Sequence, residues 1–221
     1  MRKKLAIFDL DGTVLDTLGD LANSLNYALR EYGLPEQTLE QVRLSIGGGL
    51  KRMIDRSVPD GVSPAEKEAV YHLFVERYAS HFMDETRPYD GIQDLLRDLK
   101  NSGMLLALLT NKDARMADPL CSMFFPGMFD LVVGHTPGLR LKPCPDGVES
   151  VLNTLSVRAE DAFYIGDSEV DAETSKNAGT ETVIVSWGFR TAAELADSGI
   201  RDAVPDPQAL LSRLLCKATN N

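Results

Sequence analysis

The sequence predicts an α/β protein, a doubly wound parallel sheet with an inserted α-helical domain. Two observations support the sheet: five short apolar runs, and helical patterns between them from about residue 89 to the end of the chain. A third supports the insertion, because residues 16–87 follow the first apolar run and contain no convincing strand. We therefore expect a core domain of residues 1–15 and 88–221 and a helical domain of residues 16–87.

The predicted strands are short and continuously apolar. They cover residues 4–9, 104–109, 129–134, 162–167 and 182–186. Strands in which apolar and polar residues do not alternate are typical of parallel sheets that are covered on both faces. The helices that would cover them are indicated by apolar stripes at residues 92–99 and 148–155 and by a closing helix at residues 206–216.

The inserted segment has the pattern of helices alone. An amphipathic stripe runs over residues 18–32. Residues 63–66 (SPAE) form a capping box with proline at the first helical position, and the helix that follows carries apolar residues on one side as far as Phe82. We expect the hinges of this domain near residues 16–17 and 86–88.

Composition narrows the function classes. The 221 residues carry a formal net charge of −10, which disfavours nucleic acid and anionic membranes as partners. The three cysteines are odd in number and far apart, so neither a disulfide framework nor a zinc site is expected. The apolar run near the start is too short for a signal peptide, and no later run is long enough to span a membrane. We expect a reducing, cytoplasmic location.

Every candidate polar side chain lies at the carboxyl end of a predicted strand or in the loop after it. Ligands of open parallel sheets bind beyond these ends, so we expect the side chains to share one cleft. The candidates are Asp9, Asp11, Thr110, Asn111, Lys142, Asp167 and Asp171. Clustered carboxylates need a cation between them, and oxygen ligands without suitably placed histidine or cysteine favour Mg²⁺. The ammonium, hydroxyl and amide are suited to the oxygens of a phosphoryl group.

The spacing of the first two acids suggests how they act. In an extended backbone, residues two apart project to the same side. Asp9 can then attack phosphorus as a nucleophile, and Asp11 can protonate the leaving group and later deprotonate the attacking water. Gly12 lets the chain turn sharply after them. The alternative interpretation, a plain strand-to-turn exit with aspartates, does not explain the three other clusters of polar residues.

Four motifs in order resemble the haloacid dehalogenase superfamily in its phosphatase branch: DLDGTVLDT at 9–17, TN at 110–111, KPCP at 142–145 and GDSEVD at 166–171. The resemblance implies that Asp9 is the nucleophile and Asp11 the acid/base, and that Thr110, Asn111 and Lys142 bind the phosphoryl group. It also implies that Mg²⁺ is held by Asp9, by the main-chain carbonyl of Asp11 and by Asp167, with Asp171 in support. The helical insertion would be the α-helical cap domain of that family.

Within this branch the sequence is most similar to phosphoglycolate phosphatases. The cues are SIGGGLKRMI at 45–54, TNKD at 110–113 and VSWGFRT at 185–191. One departure is Cys144, where family members commonly have histidine. The alternatives are a pyrophosphatase, a phosphosugar phosphatase or phosphomutase with the same machinery, or a non-catalytic protein that binds a phosphometabolite.

The cap segment offers weaker candidates for substrate binding. A dinucleotide loop at Gly47-Gly48-Gly49 is rejected because no strand precedes it. We expect instead a flexible cap loop, with Gly48, Lys51 and Arg52 as substrate contacts. The expected partner is a small phosphorylated metabolite, and the expected assembly is a monomer or a homodimer.

Overall fold

The computed structural model describes residues 4–219, so residues 1–3 and 220–221 of the predicted core domain lie outside the described part. The chain divides into two compact units, Met1–Leu15 with Pro88–Asn221, and Asp16–Arg87. We call the first the core unit and the second the helical unit. Among the described residues, no helix combines the length and the apolar character that crossing a bilayer requires.

The core unit is built on a five-stranded parallel sheet, as the continuous apolar runs predicted. Its strands are β1 (Leu5–Phe8), β4 (Leu105–Asp113), β5 (Leu131–His135), β6 (Ala162–Gly166) and β7 (Glu181–Ile184). The order across the sheet is β5-β4-β1-β6-β7, so β1 is central and pairs with β4 and β6. Two further short strands, β2 (Leu15–Asp16) and β3 (Arg87–Pro88), pair with each other.

Helices cover both faces of this sheet, which makes it doubly wound. They are α5 (Ile92–Asn101), α6 (Ala114–Phe124), α7 (Asp146–Leu155), α8 (Glu169–Ala178), α9 (Ala192–Asp197) and α10 (Pro207–Thr219), with a 3₁₀ turn at Ala159–Asp161. On one face, Val148 and Val151 of α7 pack in a buried cluster with Ile7, Leu109 and Tyr164 of the strands. Burial on both sides explains why the strands contain no alternating polar residues.

The helical unit contains four helices: α1 (Leu18–Glu31), α2 (Leu39–Ser45), α3 (Leu50–Ser57) and α4 (Pro64–His81). The capping box expected at residues 63–66 is present, since the Ser63 hydroxyl accepts from Glu66 N and the Glu66 carboxylate accepts from Ser63 N. A second capping box joins Thr38 to Gln41 at the start of α2, which the sequence analysis did not identify. The aromatic rings of Phe74 and Tyr78 stack inside this unit.

Candidate active site

The site in the core unit begins where β1 ends. The backbone amide of Asp9 still donates to Ile165 O at 2.8 Å, so the strand pairing holds the first acid in place at the carboxyl edge of the sheet. The chain then turns at Gly12, whose φ is +81°. A Cβ at Gly12 would lie 2.3 Å from an oxygen of Asp167, so only glycine allows this turn to approach that carboxylate so closely.

Three of the predicted acids meet in one buried cluster. Ligand oxygens of Asp9, Asp167 and Asp171 lie within 4.8 Å of one another. The ammonium of Lys142, carried by the loop after β5, lies 2.8 Å from Asp9 Oδ1 and 2.7 Å from Asp171 Oδ1. Residues from three separate loops of the sheet therefore converge, as their positions after the strands predicted.

Asp171 has a structural task within this cluster. It is the third residue of α8 and closes a capping box with Ser168, whose hydroxyl donates to Asp171 Oδ2 at 2.6 Å. The other oxygen accepts from Lys142 and, at 3.2 Å, from the hydroxyl of Tyr164. Because both oxygens already accept hydrogen bonds, Asp171 is better placed to orient Lys142 than to bind a cation directly.

Asp167 is fixed by the segment that follows β7. Its Oδ2 accepts from the backbone amide of Phe189 at 2.6 Å. The neighbouring Gly188 lies so close that a Cβ there would be 2.0 Å from Gly12 O and 2.6 Å from Asp167 Oδ2. Trp187 ties the same segment to the turn after β1 by donating from Nε1 to Thr13 O at 3.0 Å. Residues 187–189 therefore pack directly on Asp167 and on the turn after β1.

The electrostatic consequence is an excess of buried negative charge. Burial raises the pKa of Asp9 to about 7, against the opposing effect of Lys142 and with a further contribution from Asp171. Burial, followed by repulsion from Asp171 and Asp9, raises the pKa of Asp167 well above its ordinary value. Burial disfavours the charged form of Lys142, yet Asp171 and Asp9 raise its pKa well above the usual value. One ammonium thus faces three carboxylates.

The predicted phosphate-binding residues of β4 lie at the end of that strand. Regular pairing of β4 with β5 runs to Leu109 and resumes only at Asp113, so the segment between them is irregular. The buried Thr110 accepts from Lys112 N through its hydroxyl, at 3.1 Å. Asn111 binds the backbone of Lys142 at both ends of its amide: Nδ2 donates to Lys142 O at 3.2 Å, and Oδ1 accepts from Lys142 N at 2.8 Å. Asn111 therefore positions the lysine loop, and its contact with a phosphoryl oxygen stays a prediction.

Asp11 lies apart from the three-acid cluster and has its own lysine. Asp11 Oδ1 lies 3.1 Å from Lys112 Nζ. Lys112 belongs to the TNKD segment, and no role was predicted for it. Its position after a buried strand, next to Thr110 and Asn111, was the only signal available. A ligand role for the Asp11 main-chain carbonyl stays a prediction.

The three candidates from the cap segment belong to the helical unit. Gly48 adopts a φ of +83° just before α3. The ammonium of Lys51 forms an ion pair with Glu68 and lies 5.4 Å from the centre of the Tyr71 ring, so it is engaged inside this unit. Arg52 is exposed. Their role as substrate contacts stays a prediction.

The donor set fits a hard divalent cation. Asp9 and Asp167 supply carboxylate oxygens, and their pKa values are raised chiefly by burial and then by the neighbouring carboxylates, which Lys142 does not fully offset. Among the described residues this cluster contains no histidine or cysteine, the ligands that would favour zinc. A cation between Asp9 and Asp167 would remove the excess charge, and oxygen ligands of this kind suit Mg²⁺.

The fold and the site define a class of protein: an α/β enzyme with acids and a lysine at the carboxyl edge of its sheet. Comparison with known proteins agrees. The model of the haloacid dehalogenase-like hydrolase family matches residues 6–185. The chain belongs to this family, which confirms the resemblance seen in its four motifs.

Individual relatives refine the comparison. The chain is 32% identical over 216 residues to phosphoglycolate phosphatase 1 of Pseudomonas aeruginosa, covering 91% of this chain and 79% of that protein. It is 31% identical over 191 residues to the N-acetylmuramic acid 6-phosphate phosphatase of the same organism, covering 86% and 84%. A crystal structure from Lactobacillus delbrueckii subsp. bulgaricus, of a protein proposed to be a phosphoglycolate phosphatase, superposes with a TM-score of 0.92 at 33% identity, covering 97% and 99% of the two chains.

Proposed function

We propose that this protein is a Mg²⁺-dependent phosphatase that hydrolyses the phosphomonoester of a small metabolite through an aspartyl-phosphate at Asp9. The observation that carries the proposal is the position of Lys142, whose ammonium lies between Asp9 and Asp171 beside Asp167. A buried carboxylate that is oriented by an ammonium and flanked by a cation site has what phosphoryl transfer requires, namely positioning and charge neutralisation.

In the first half-reaction a carboxylate oxygen of Asp9 attacks phosphorus, and the bond from phosphorus to the leaving oxygen breaks. Lys142 keeps the attacking carboxylate in place and offers its ammonium to a phosphoryl oxygen. Asp11 gives a proton to the leaving oxygen, which departs as an alcohol. Bound Mg²⁺ would supply neutralising charge to the nucleophile and the phosphoryl oxygens.

In the second half-reaction water attacks phosphorus of the aspartyl-phosphate. Asp11, now ionised, accepts a proton from this water, and the Asp9 carboxylate leaves. Inorganic phosphate is released, and the proton on Asp11 restores the starting state. The buried Asp9 is shielded from bulk water, which favours transfer to the carboxylate before hydrolysis.

The substrate that we propose is 2-phosphoglycolate. The similarity to proteins named phosphoglycolate phosphatase over most of their length supports it. A phosphosugar is the second candidate, because the relative named N-acetylmuramic acid 6-phosphate phosphatase is almost equally similar. The remaining partner expectations, namely no nucleic acid, no membrane, a cytoplasmic location and a monomer or homodimer, stay predictions.

The test is release of phosphate from a panel containing 2-phosphoglycolate, N-acetylmuramic acid 6-phosphate, hexose phosphates and pyrophosphate, with Mg²⁺ and with EDTA. We expect the highest kcat/KM for 2-phosphoglycolate, no turnover in EDTA, and no turnover by a folded Asp9→Asn variant. Preference for the muramic acid ester, another phosphosugar or pyrophosphate would replace the substrate and keep the chemistry. Full activity in Asp9→Asn would overturn the proposal, and no hydrolysis of any ester would favour a binding protein.

A further inference from the structure

Asp9 and Asp11 are each paired with a different lysine. Asp9 is paired with Lys142, from the loop after β5, at 2.8 Å. Asp11 is paired with Lys112, from the end of β4, at 3.1 Å. Lys142 belongs to the expected phosphate-binding residues, whereas the proposed mechanism gives Lys112 no role.

Lys112 is buried to an extent that is unusual for a lysine. Its side chain is 3% exposed, while that of Asp11 is 20% exposed. An ammonium that is taken out of water is costly unless a carboxylate compensates it, and lysines without such a task remain at the surface. The partner carboxylate retains access to solvent, as expected for a group that handles the protons of a substrate and of water.

The backbone around Lys112 is arranged to aim its side chain. The residue lies in the irregular stretch of β4 between Leu109 and Asp113, where the register with β5 shifts. Irregularities of this kind redirect side chains next to functional sites. The amide of Lys112 donates to the hydroxyl of Thr110 at 3.1 Å, which fixes the backbone at that point.

We propose that Lys112 is a positioning residue that holds the carboxyl group of Asp11 in the orientation needed for proton transfer to and from the reacting oxygens. The inference rests on the proposed phosphatase function, since it assigns Lys112 a role through Asp11. Lys112 itself makes no contact with the substrate in this account. Its ammonium restricts the rotamers of a short carboxylate that would otherwise move in solvent.

This role predicts an effect that depends on the leaving group. A basic alkoxide leaves only when it receives a proton, whereas a nitrophenolate leaves without one. Loss of Lys112 should therefore reduce kcat/KM for alkyl phosphates by about 10–100-fold, which is less than the roughly 10²–10⁴-fold that general acid–base catalysis typically contributes, because Asp11 itself remains. The kcat/KM for p-nitrophenyl phosphate should change by no more than about 3-fold, because kcat/KM reports the first half-reaction and a nitrophenolate leaves without help from the acid. A purely structural role for Lys112 would reduce both reactions equally.

The experiment compares Lys112→Met, Lys112→Arg and Asp11→Asn, together with the double variant Lys112→Met/Asp11→Asn. Met keeps the apolar stem without the charge, and Arg restores the charge. Lys100→Met is the control for losing a lysine that pairs with an aspartate away from the site: Lys100 of α5 pairs at 3.3 Å with Asp130, which accepts from Leu106 N near the start of β4. For each variant, kcat/KM is measured with 2-phosphoglycolate and with aryl phosphates of graded leaving-group basicity, alongside melting temperature and the Kd for Mg²⁺.

The expected result is a steeper dependence on leaving-group basicity in Lys112→Met, partial recovery in Lys112→Arg, and wild-type rates in Lys100→Met. In the Asp11→Asn background, Lys112→Met should cause no further loss, because the residue acts through Asp11. A uniform loss over all leaving groups, or losses that multiply in the double variant, would overturn the inference. Neither result affects the proposed function, which fails only if the wild-type protein hydrolyses no ester or if Asp9→Asn remains active.

Discussion

Replacing the proposed nucleophile should stabilise the metal-free protein while abolishing its activity. Asp9 is one of three clustered, buried carboxylates, of which Asp9 and Asp171 pair with the ammonium of Lys142. The pKa of Asp9 is displaced from 3.8 to about 7, chiefly by burial. Each pKa unit is worth about 1.4 kcal/mol, so ionised Asp9 destabilises the fold by at most about 4 kcal/mol. Asp9→Asn removes this charge and keeps an oxygen that can accept from Lys142.

The sign of the pH dependence follows from the direction of this displacement. Because the pKa of Asp9 is higher in the folded state than in the unfolded state, the penalty is absent below about pH 4, grows as the pH rises, and is complete above about pH 7. We expect Asp9→Asn to raise the free energy of unfolding by about 2–4 kcal/mol at pH 8 and by less than half as much at pH 5. The melting temperature at pH 8 should rise by roughly 5–10 °C.

The assay is thermal and urea unfolding in EDTA at both pH values. Asp94→Asn is the matched control: Asp94 is an exposed carboxylate of α5, paired with Arg97, and its loss should change stability by no more than about 0.5 kcal/mol. A metal-free Asp9→Asn variant that is less stable than the wild type at pH 8 would refute the predicted destabilisation by ionised Asp9. A gain of equal size at both pH values would refute it as well.

Three further predictions follow, two on the cation site and one on the helical unit. Mg²⁺ should raise the melting temperature of the wild type more at pH 8 than at pH 5.5, because protonation of Asp9 and Asp167 competes with the cation; an equal shift at both pH values would contradict the predicted site. Gly188→Ala should weaken Mg²⁺ binding by at least about 10-fold in titration calorimetry, since its Cβ would displace Asp167; an unchanged Kd would contradict this. Asp20→Ala should destabilise the helical unit by about 2–4 kcal/mol, because the buried Asp20 accepts hydrogen bonds from Glu85 N, Thr86 N and the Thr86 hydroxyl. The change should be detected as faster amide exchange in that unit alone, and unchanged exchange would contradict it.

The sheet and its site could be predicted because the sequence signals are local. Continuous apolar runs fix buried parallel strands, and the rule that ligands bind beyond their carboxyl ends brings Asp9, Lys142 and Asp167 together. The capping box at Ser63 likewise predicted the start of α4. Short elements were missed: α2 and α3 are only seven and eight residues long, too short for a clear helical stripe.

The contacts between side chains could not be predicted from spacing. A lysine after a strand has the same pattern whether it is solvated or buried, and only the folded chain shows that Lys112 faces Asp11. The hydrogen bonds between the Asn111 amide and the backbone of Lys142 were not predicted either, and the expected contact of Asn111 with a phosphoryl group stays a prediction. In both pairs, Lys112 with Asp11 and Asn111 with Lys142, the two residues are about 30 residues or more apart in the sequence. Their contact depends on the strand order, which no local pattern encodes.

The proposed mechanism requires the phosphoryl group to pass through the carboxylate of Asp9, and chemical trapping can detect this intermediate. Enzyme mixed with substrate and Mg²⁺ is quenched and reduced with borohydride, which converts an aspartyl-phosphate into homoserine, and the peptides are sequenced by mass spectrometry. We expect homoserine at position 9, dependent on substrate and absent in Asp9→Asn. Reduction at a different aspartate, or turnover with no trapped residue, would contradict it.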